Sequence, residues 1–149
     1  MTTDTRAITS NPACRERIWT GRLDTTTAAQ LEAHAVAGGS VLLFAQPGDE
    51  IAERLSGATF SPALPTTEWF VTLADRAAGA RLEGEVAVTS ALRPLRPVSD
   101  DVVAAATTSI RFVHHPTIAV RQLGAGRMVI SGIADLRALT THPTLGPFV

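Results

Sequence analysis

The sequence predicts an α/β fold, in which a three-layer, mostly parallel sheet is flanked by helices and ends in a C-terminal β-hairpin. Three observations indicate it: a strand–helix–strand pattern over residues 17–45, a continuous apolar run at residues 40–45, and two alternating segments around the glycines of residues 124–126. The 149 residues are 45% hydrophobic and 18% charged. That composition suffices for one domain with its own core and excludes wholesale disorder.

The first third of the chain carries the clearest local signals. Residues 1–14 are polar and aperiodic, so residues 1–16 are interpreted as a flexible N-terminal arm and residues 17–149 as a single domain. A short strand is expected at residues 17–20. Asp24 can then cap a helix, since its carboxylate can accept from the free N–H groups of the first turn, and the glycines at 38 and 39 end that helix. Its apolar face comprises Ala28, Leu31, Ala35 and Val36.

The middle of the chain is less regular. A short helix is expected over residues 51–55, closed by Gly57, and residues 58–66 read as a loop with two prolines. Residues 67–78 fit a helix, although the alternation of Trp69, Val71 and Leu73 leaves a strand open. Residues 85–90 alternate as a strand does. Two prolines make residues 92–101 irregular or an edge.

The last third is rich in strand signals. Strands are expected at residues 110–114, 117–123 and 127–133, and the glycine turn at 124–126 makes the last two a hairpin. That glycine stretch is no phosphate loop of the Walker type, because the chain contains no lysine. The elements together indicate a flavodoxin-like sheet.

Charge and cysteine content exclude several classes of function. Thirteen basic and 14 acidic residues give a net charge of −1, so neither nucleic acid nor a membrane surface is expected as a partner. No apolar run is long enough to span a bilayer, and the start of the chain lacks the apolar region of a signal peptide, so a cytoplasmic protein is expected. The single cysteine, Cys14, excludes a disulfide framework, and neither a metal nor a cofactor is predicted.

The candidate site lies after the apolar run of residues 40–45. Open α/β sheets bind ligands beyond the carboxyl ends of parallel strands, which is where Gln46, Asp49 and Glu50 stand. The alternative is that Asp49 and Glu50 only stabilise the start of a helix, where negative charge is favourable. The predicted ligand-binding residues are Gln46, Asp49, Arg22 and His114; the weaker catalytic candidates are Asp49, Glu50 and His115.

Histidines and aromatic residues offer two further hypotheses. His114 and His115 are adjacent on a predicted strand, so they point to opposite faces and only one of them could enter a given site. Three aromatic residues could form a platform on which a sugar stacks, or could be ordinary core residues. They are Trp19, Trp69 and Phe70.

Two stretches resemble a known family. The first runs from Gly21-Arg22-Leu23 through a helix and Gly38-Gly39 to SVLLFA, and it is similar to a sequence pattern of class I glutamine amidotransferase-like domains. The second, HHPTIAVRQLGAGRMVISGI, is similar to the C-terminal part of the same domains. Relatives with this phrasing include trehalose-utilisation-like (ThuA-like) domains and the trimerisation domain of some β-galactosidases. The resemblance covers residues 17–45 and 110–135. The turn after SVLLFA holds no cysteine nucleophile, so glutamine hydrolysis is not implied.

The resemblance implies a chain that starts near the second strand of that fold, either because the first βα unit is missing or because the sequence is a piece of a longer protein. The sheet edge exposed in this way favours a partner, either a second copy or a larger protein. We therefore expect a non-catalytic module for assembly or for binding a small polar ligand, such as a carbohydrate. The alternative is a small hydrolase or carbohydrate-active enzyme that uses strand-end carboxylates and a histidine.

Overall fold

The computed structural model describes residues 16–73 and 85–135. Strands account for 54% of the structure and helices for 18%, and the main sheet is a curled, mixed sheet that forms a half-barrel. The expected flavodoxin-like α/β fold, mostly parallel and flanked by helices, is therefore wrong. Residues 67–73, for which a helix was favoured, and residues 102–109, for which no element was predicted, form antiparallel strands instead.

The described residues form two helices and nine strands, which are numbered in chain order. The helices are α1 (Thr25–Val36) and α2 (Glu50–Ser56). The strands are β1 (Glu16–Trp19), β2 (Ser40–Phe44), β3 (Ala58–Phe60), β4 (Leu64–Leu73), β5 (Glu85–Leu92), β6 (Leu95–Pro97), β7 (Val102–Ile110), β8 (Val113–Leu123) and β9 (Gly126–Ser131). The main sheet has the order β1-β2-β9-β8-β7-β4-β5, and β3 pairs with β6 in a separate two-stranded sheet.

The parallel part of the sheet confirms the strand–helix–strand prediction. β1 pairs with β2 and β2 pairs with β9, both in parallel, and α1 connects the first two strands. Asp24 is the N-cap of α1: its Oδ1 accepts from the backbone N–H of Thr27 at 2.6 Å, and this bond holds the pKa of Asp24 below its ordinary value. Val36 is 48% exposed, so its place on the buried face was wrong. It is the last residue of α1 and borders the turn at Gly124.

The antiparallel part departs most from the prediction. The hairpin of β8 and β9 is confirmed, with Leu123 opposite Gly126. The strand predicted over residues 110–114 is instead interrupted by a turn at Arg111 and Phe112, which joins β7 to β8. Over residues 67–73 the helix prediction is wrong, because this segment pairs with β5 on one side and β7 on the other. The expected loop at residues 58–66 contains β3 and the start of β4.

Other predictions match the structure or lie outside it. The short helix closed by Gly57, the strand at residues 85–90 and the edge character of residues 92–101 agree with α2, β5 and the short β6. Of the expected arm, residues 1–15 lie outside the described residues, as do 74–84 and 136–149. Neither α1 nor α2 is long and apolar enough to cross a membrane.

Two apolar clusters lie on opposite faces of the sheet. One packs the helices against the sheet and includes Leu31, Leu43 and Ile130. The other lies within the curl and joins Leu42 of β2 to Val88 of β5. The order of the sheet places these two strands five spacings apart, about 24 Å in a flat sheet. Curling the sheet brings both ends into one core, which a flat sheet could not form.

The curl is fixed where the chain leaves β9. The N–H of Gly132 donates to the carbonyl of Thr117 in β8, and its carbonyl accepts from the N–H of Arg93, both at 2.7 Å. One residue further on, Ile133 pairs with Leu92, the last residue of the edge strand β5. A Cβ on Gly132 would collide with the carbonyl oxygen of Arg93. Only glycine lets these backbones approach so closely.

We expect Gly132→Ala to destabilise the fold by about 1–3 kcal/mol, because the added methyl group forces β5 away from the segment after β9. Gly21→Ala is the matched control, since a Cβ there meets nothing within 4 Å. Its effect should stay within about 0.5 kcal/mol. Urea unfolding followed by circular dichroism measures both. Equal stability of the two variants would contradict the role given to Gly132.

Candidate functional site

The loops that follow β1 and β2 bring three of the predicted ligand-binding residues together. The amide nitrogen of Gln46 donates to the carbonyl of Thr20 at 3.2 Å, and Nη2 of Arg22 lies 3.4 Å from the carbonyl oxygen of Pro47. Each loop therefore contributes a side chain that contacts the backbone of the other. Gln46 and Asp49 follow the carboxyl end of β2, as the sequence predicted, and Arg22 follows the carboxyl end of the parallel neighbour β1.

Asp49 is engaged by the backbone. It is only 4% exposed and caps α2: Oδ1 accepts from the N–H of Ala52 at 3.1 Å, and Oδ2 accepts from the N–H of Leu23 at 2.8 Å. Both carboxylate oxygens thus satisfy buried backbone donors, one in its own helix and one in the loop before α1. This matches the alternative in which Asp49 stabilises the start of a helix. The same bonds fix the two strand-end loops to each other.

A pocket of about 250 Å³ opens beside Asp49. Arg22 and Glu50 are exposed there and can offer a guanidinium donor and a carboxylate acceptor to a small polar molecule. The described residues that line it are Arg22, Leu23, Gly48, Asp49, Glu50 and Ile51. Neither His114 nor His115 is among these lining residues.

Both histidines lie on β8, where they pair with β7. His114 is opposite Ser109 and His115 is opposite Thr108. Thr108 is in turn opposite Val71, which belongs to the cluster within the curl. Paired residues share a face of a sheet, so His115 lies on the inner face of the half-barrel. The structure therefore groups Asp49 with Glu50 but does not place His115 in their pocket.

The three aromatic candidates do not form one platform. Trp19 is buried in the cluster between the helices and the sheet, while Trp69 packs against the cluster within the curl. Trp69 and Phe70 are consecutive residues of β4, so their side chains point to opposite faces. Phe70 is 53% exposed. The platform hypothesis is wrong for this set of residues.

A larger cleft, of about 360 Å³, was not predicted from the sequence. It lies between α1, α2 and the C-terminal half of β8. Arg121 of β8 donates to the carboxylate of Asp101 at 2.9 Å and to the carbonyl of Leu55 at 2.8 Å, so its charge sits at the C-terminal end of α2, where a cation is favourable. The lining residues are Thr25, Ala28, Ala29, Glu32, Ile51, Arg54, Leu55, Arg121 and Leu123.

No local sequence signal marks this cleft, because its walls come from segments up to about a hundred residues apart, which meet only in the folded chain.

Among residues 16–73 and 85–135, no group of three or more His, Cys, Asp or Glu side chains could hold a metal ion. Cys14 and His142 lie outside those ranges.

Comparisons with known proteins show likeness in fold. No protein-family model matches the chain, and no curated protein matches it. Its structure is similar to the β-galactosidase of Rahnella sp. R3, with 13% identity over 87% of this chain and a TM-score of 0.63. It is also similar to the β-galactosidase of Bacillus circulans sp. alkalophilus, with 11% identity over 80% of this chain and a TM-score of 0.62. For Agd3, a carbohydrate deacetylase, the identity is 16% over 74% of this chain and the TM-score is 0.55.

The chain spans only about a fifth of each of these three proteins: 22%, 20% and 18% of their lengths. Neighbours of the β-galactosidase type fit the partial resemblance to a trimerisation-domain-like fold. The amidotransferase-like assignment is wrong, since the structure is a mostly-β half-barrel and the glycosidase-domain neighbours do not support it.

We expect Asp49→Ala to destabilise the protein by about 2–6 kcal/mol, because it leaves the N–H groups of Leu23 and Ala52 buried without a partner, at ~1–3 kcal/mol each. Glu50→Ala, which removes the neighbouring exposed carboxylate, should cost less than about 1 kcal/mol. Urea unfolding compares the two. A harmless Asp49→Ala would show that the carboxylate is not structural and would return it to the catalytic candidates.

Proposed function

We propose that this chain is a non-catalytic assembly module with a trimerisation-domain-like fold, and that it associates with further copies of itself. The observation that carries the proposal is the coverage: the fold accounts for 80–87% of this chain but only 20–22% of the two β-galactosidases. In those proteins the same fold is one part of a larger chain. A domain of this kind can contribute by contacting neighbouring domains or chains, independently of the reaction that the rest of the protein catalyses.

The described surface supports association. Several large apolar side chains are about half or more exposed, among them two phenylalanines. Exposed apolar side chains that gather on one surface mark contacts with other molecules more often than scattered ones do. Phe112 and Val113 are such a group, since they are consecutive residues at one hairpin tip, whereas the other exposed apolar residues lie on separate elements. Those others are Val36, Phe70, Val98 and Val103.

The strand-end pocket argues for the module and against the hydrolase. General acid–base chemistry needs two groups that meet at the reacting bond. Asp49 is committed to two backbone donors, and His115 lies on the inner face of the half-barrel rather than in the lining of the pocket. Of the three catalytic candidates, only Glu50 then remains available in the pocket, so these candidates do not form the pair of groups that acid–base chemistry requires.

We expect the chain to run as a homo-oligomer when its mass is measured by light scattering on a sizing column over a tenfold range of concentration. Dilution should lower the average mass if the contacts are weak, and leave it constant if they are tight. A mass equal to one chain at every concentration would contradict self-association.

A second candidate function is the binding of a small polar ligand, such as a carbohydrate, in the pocket beside Asp49. Its support is that Arg22 and Glu50, both exposed, line the 250 Å³ pocket. A guanidinium and a carboxylate hydrogen-bond well to neighbouring hydroxyl groups. The carbohydrate-related neighbours in the structural comparison are in keeping with this candidate.

For that candidate we expect galactose, titrated into the isotope-labelled chain, to shift the amide signals of Gly48 and Glu50. Arg22→Ala should weaken the binding at least about tenfold, since a hydrogen bond to a charged group is worth roughly 1.5–3 kcal/mol. Arg96→Ala is the control, because Arg96 is exposed on β6 and lines neither described pocket. Equal binding by both variants, or no shifts with the unaltered chain, would contradict a sugar site here.

A further inference from the structure

The tip of the hairpin between β7 and β8 combines two unfavourable features. Arg111 and Phe112 form the whole turn between the paired residues Ile110 and Val113, with φ values of 50° and 66°. A two-residue turn with both φ values positive favours Asn and Gly, and a bulky side chain is strained there. Phe112 is also 100% exposed, and Val113 is 56% exposed.

Neither feature helps this chain to fold. A side chain that is wholly exposed buries nothing against its own protein, and Asn-Gly would form the same turn without strain. Strain and exposed apolar surface at a single protruding position indicate a role in contact with another molecule. An aromatic side chain that enters a pocket is the kind of residue that dominates the energy of an interface.

The cleft between α1, α2 and β8 can receive such a side chain. Its apolar walls include Ala28, Leu55 and Leu123, and its volume of about 360 Å³ is near the small end of the roughly 300–1,000 Å³ typical of ligand pockets. The lining carries the charges of Glu32 on α1 and of Arg54 on α2, and Glu32 offers Arg111 a partner of opposite charge on the α1 side of the cleft. Arg121, in the same lining, is already paired with Asp101.

The tip cannot reach the cleft of its own chain. Phe112 precedes the first residue of β8, whereas Leu123, in the lining of the cleft, is its last. A strand rises about 3.3 Å per residue, so the 11 residues of β8 separate tip and cleft by about 35 Å. Phe112 can therefore enter this cleft only on a different molecule.

We propose that Phe112 of one copy inserts into the cleft between α1 and α2 of a second copy, with Arg111 beside Glu32. This inference rests on the proposed self-association and names the surfaces that perform it. The two surfaces differ, so the contact is head-to-tail and produces a closed ring or an open filament rather than a two-fold dimer.

Two single substitutions test the two sides of the contact. Phe112→Ser removes the inserted ring, and Ala29→Arg fills the cleft from the exposed face of α1 and places a positive charge opposite Arg111. Each should weaken association at least tenfold in light scattering. Phe70→Ser is the control, because Phe70 is an exposed phenylalanine of β4 and belongs to neither of the two proposed contact surfaces, so its loss should leave association unchanged. Circular dichroism and the melting temperature, taken at a dilution where the chains are separate, should match for Phe112→Ser and the unaltered protein.

Mixing the two variants makes the test specific. The Phe112→Ser chain keeps an intact cleft, and the Ala29→Arg chain keeps an intact tip. A one-to-one mixture should therefore form a complex of two chains and nothing larger, at concentrations where each variant alone is a single chain. Failure of the mixture to associate would overturn the head-to-tail contact.

The outcomes separate this inference from the proposed function. If the unaltered chain associates and Phe112→Ser associates equally well, the tip is not the contact and self-association stands. If the unaltered chain never associates, the proposed function fails and this inference fails with it. Loss of association in both variants, together with its recovery in the mixture, supports both.

Discussion

The close approach of two backbones at Gly132 is the constraint on which the half-barrel depends. At this residue the chain leaves the centre of the sheet, bonds to Thr117 on one side and accepts from Arg93 on the other. The next residue pairs with the edge strand β5. Strands four positions apart in the sheet order are thereby joined, and their apolar side chains share one core. A side chain larger than hydrogen would separate them and open that core to water.

β8 is the central strand of the curled sheet. One face of this strand carries Ile118 into the core within the curl, and the other carries Ala119 against the helices. β7 pairs with β8 from Val113 to Arg121, and β9 pairs with it from Ile118 to Leu123, so the strand is held in the sheet from end to end. One end presents the strained, exposed turn, and the other forms a wall of the cleft. These two ends are the surfaces that the proposed head-to-tail contact would join.

Local sequence signals correctly predicted those features of the fold that depend only on residues close together in the chain. The cap at Asp24, the left-handed residue at Gly57 and the turn at Gly124 each arise within a few residues, and the sequence predicted all three. Residues 67–73 carry both periodicities, and only their pairing with β5 and β7 makes them a strand. The curl depends on Leu92 meeting Ile133, and no periodic pattern carries that information.

The candidate site shows the same division. The sequence placed Asp49 correctly at the end of a strand, but its role is set by the N–H of Leu23, which is 26 residues away along the chain. The larger cleft combines α1, α2 and β8, so no single segment could indicate it. The exposed turn at Phe112 was hidden because residues 110–114 read as one uninterrupted strand, whereas two strands meet there.

Amide hydrogen exchange of Arg93 and Ala134 tests the central claim most directly. Both N–H groups donate across the junction between β5 and the segment after β9, that of Arg93 to Gly132 and that of Ala134 to Ala91. If this junction holds the half-barrel together, the two amides should exchange as slowly as those of Val129 and Ile130 in β9, because all of them open only when the sheet does. Exchange as fast as that of the exposed turn at Gly124 would show that the junction opens by itself, and that the curl is held elsewhere.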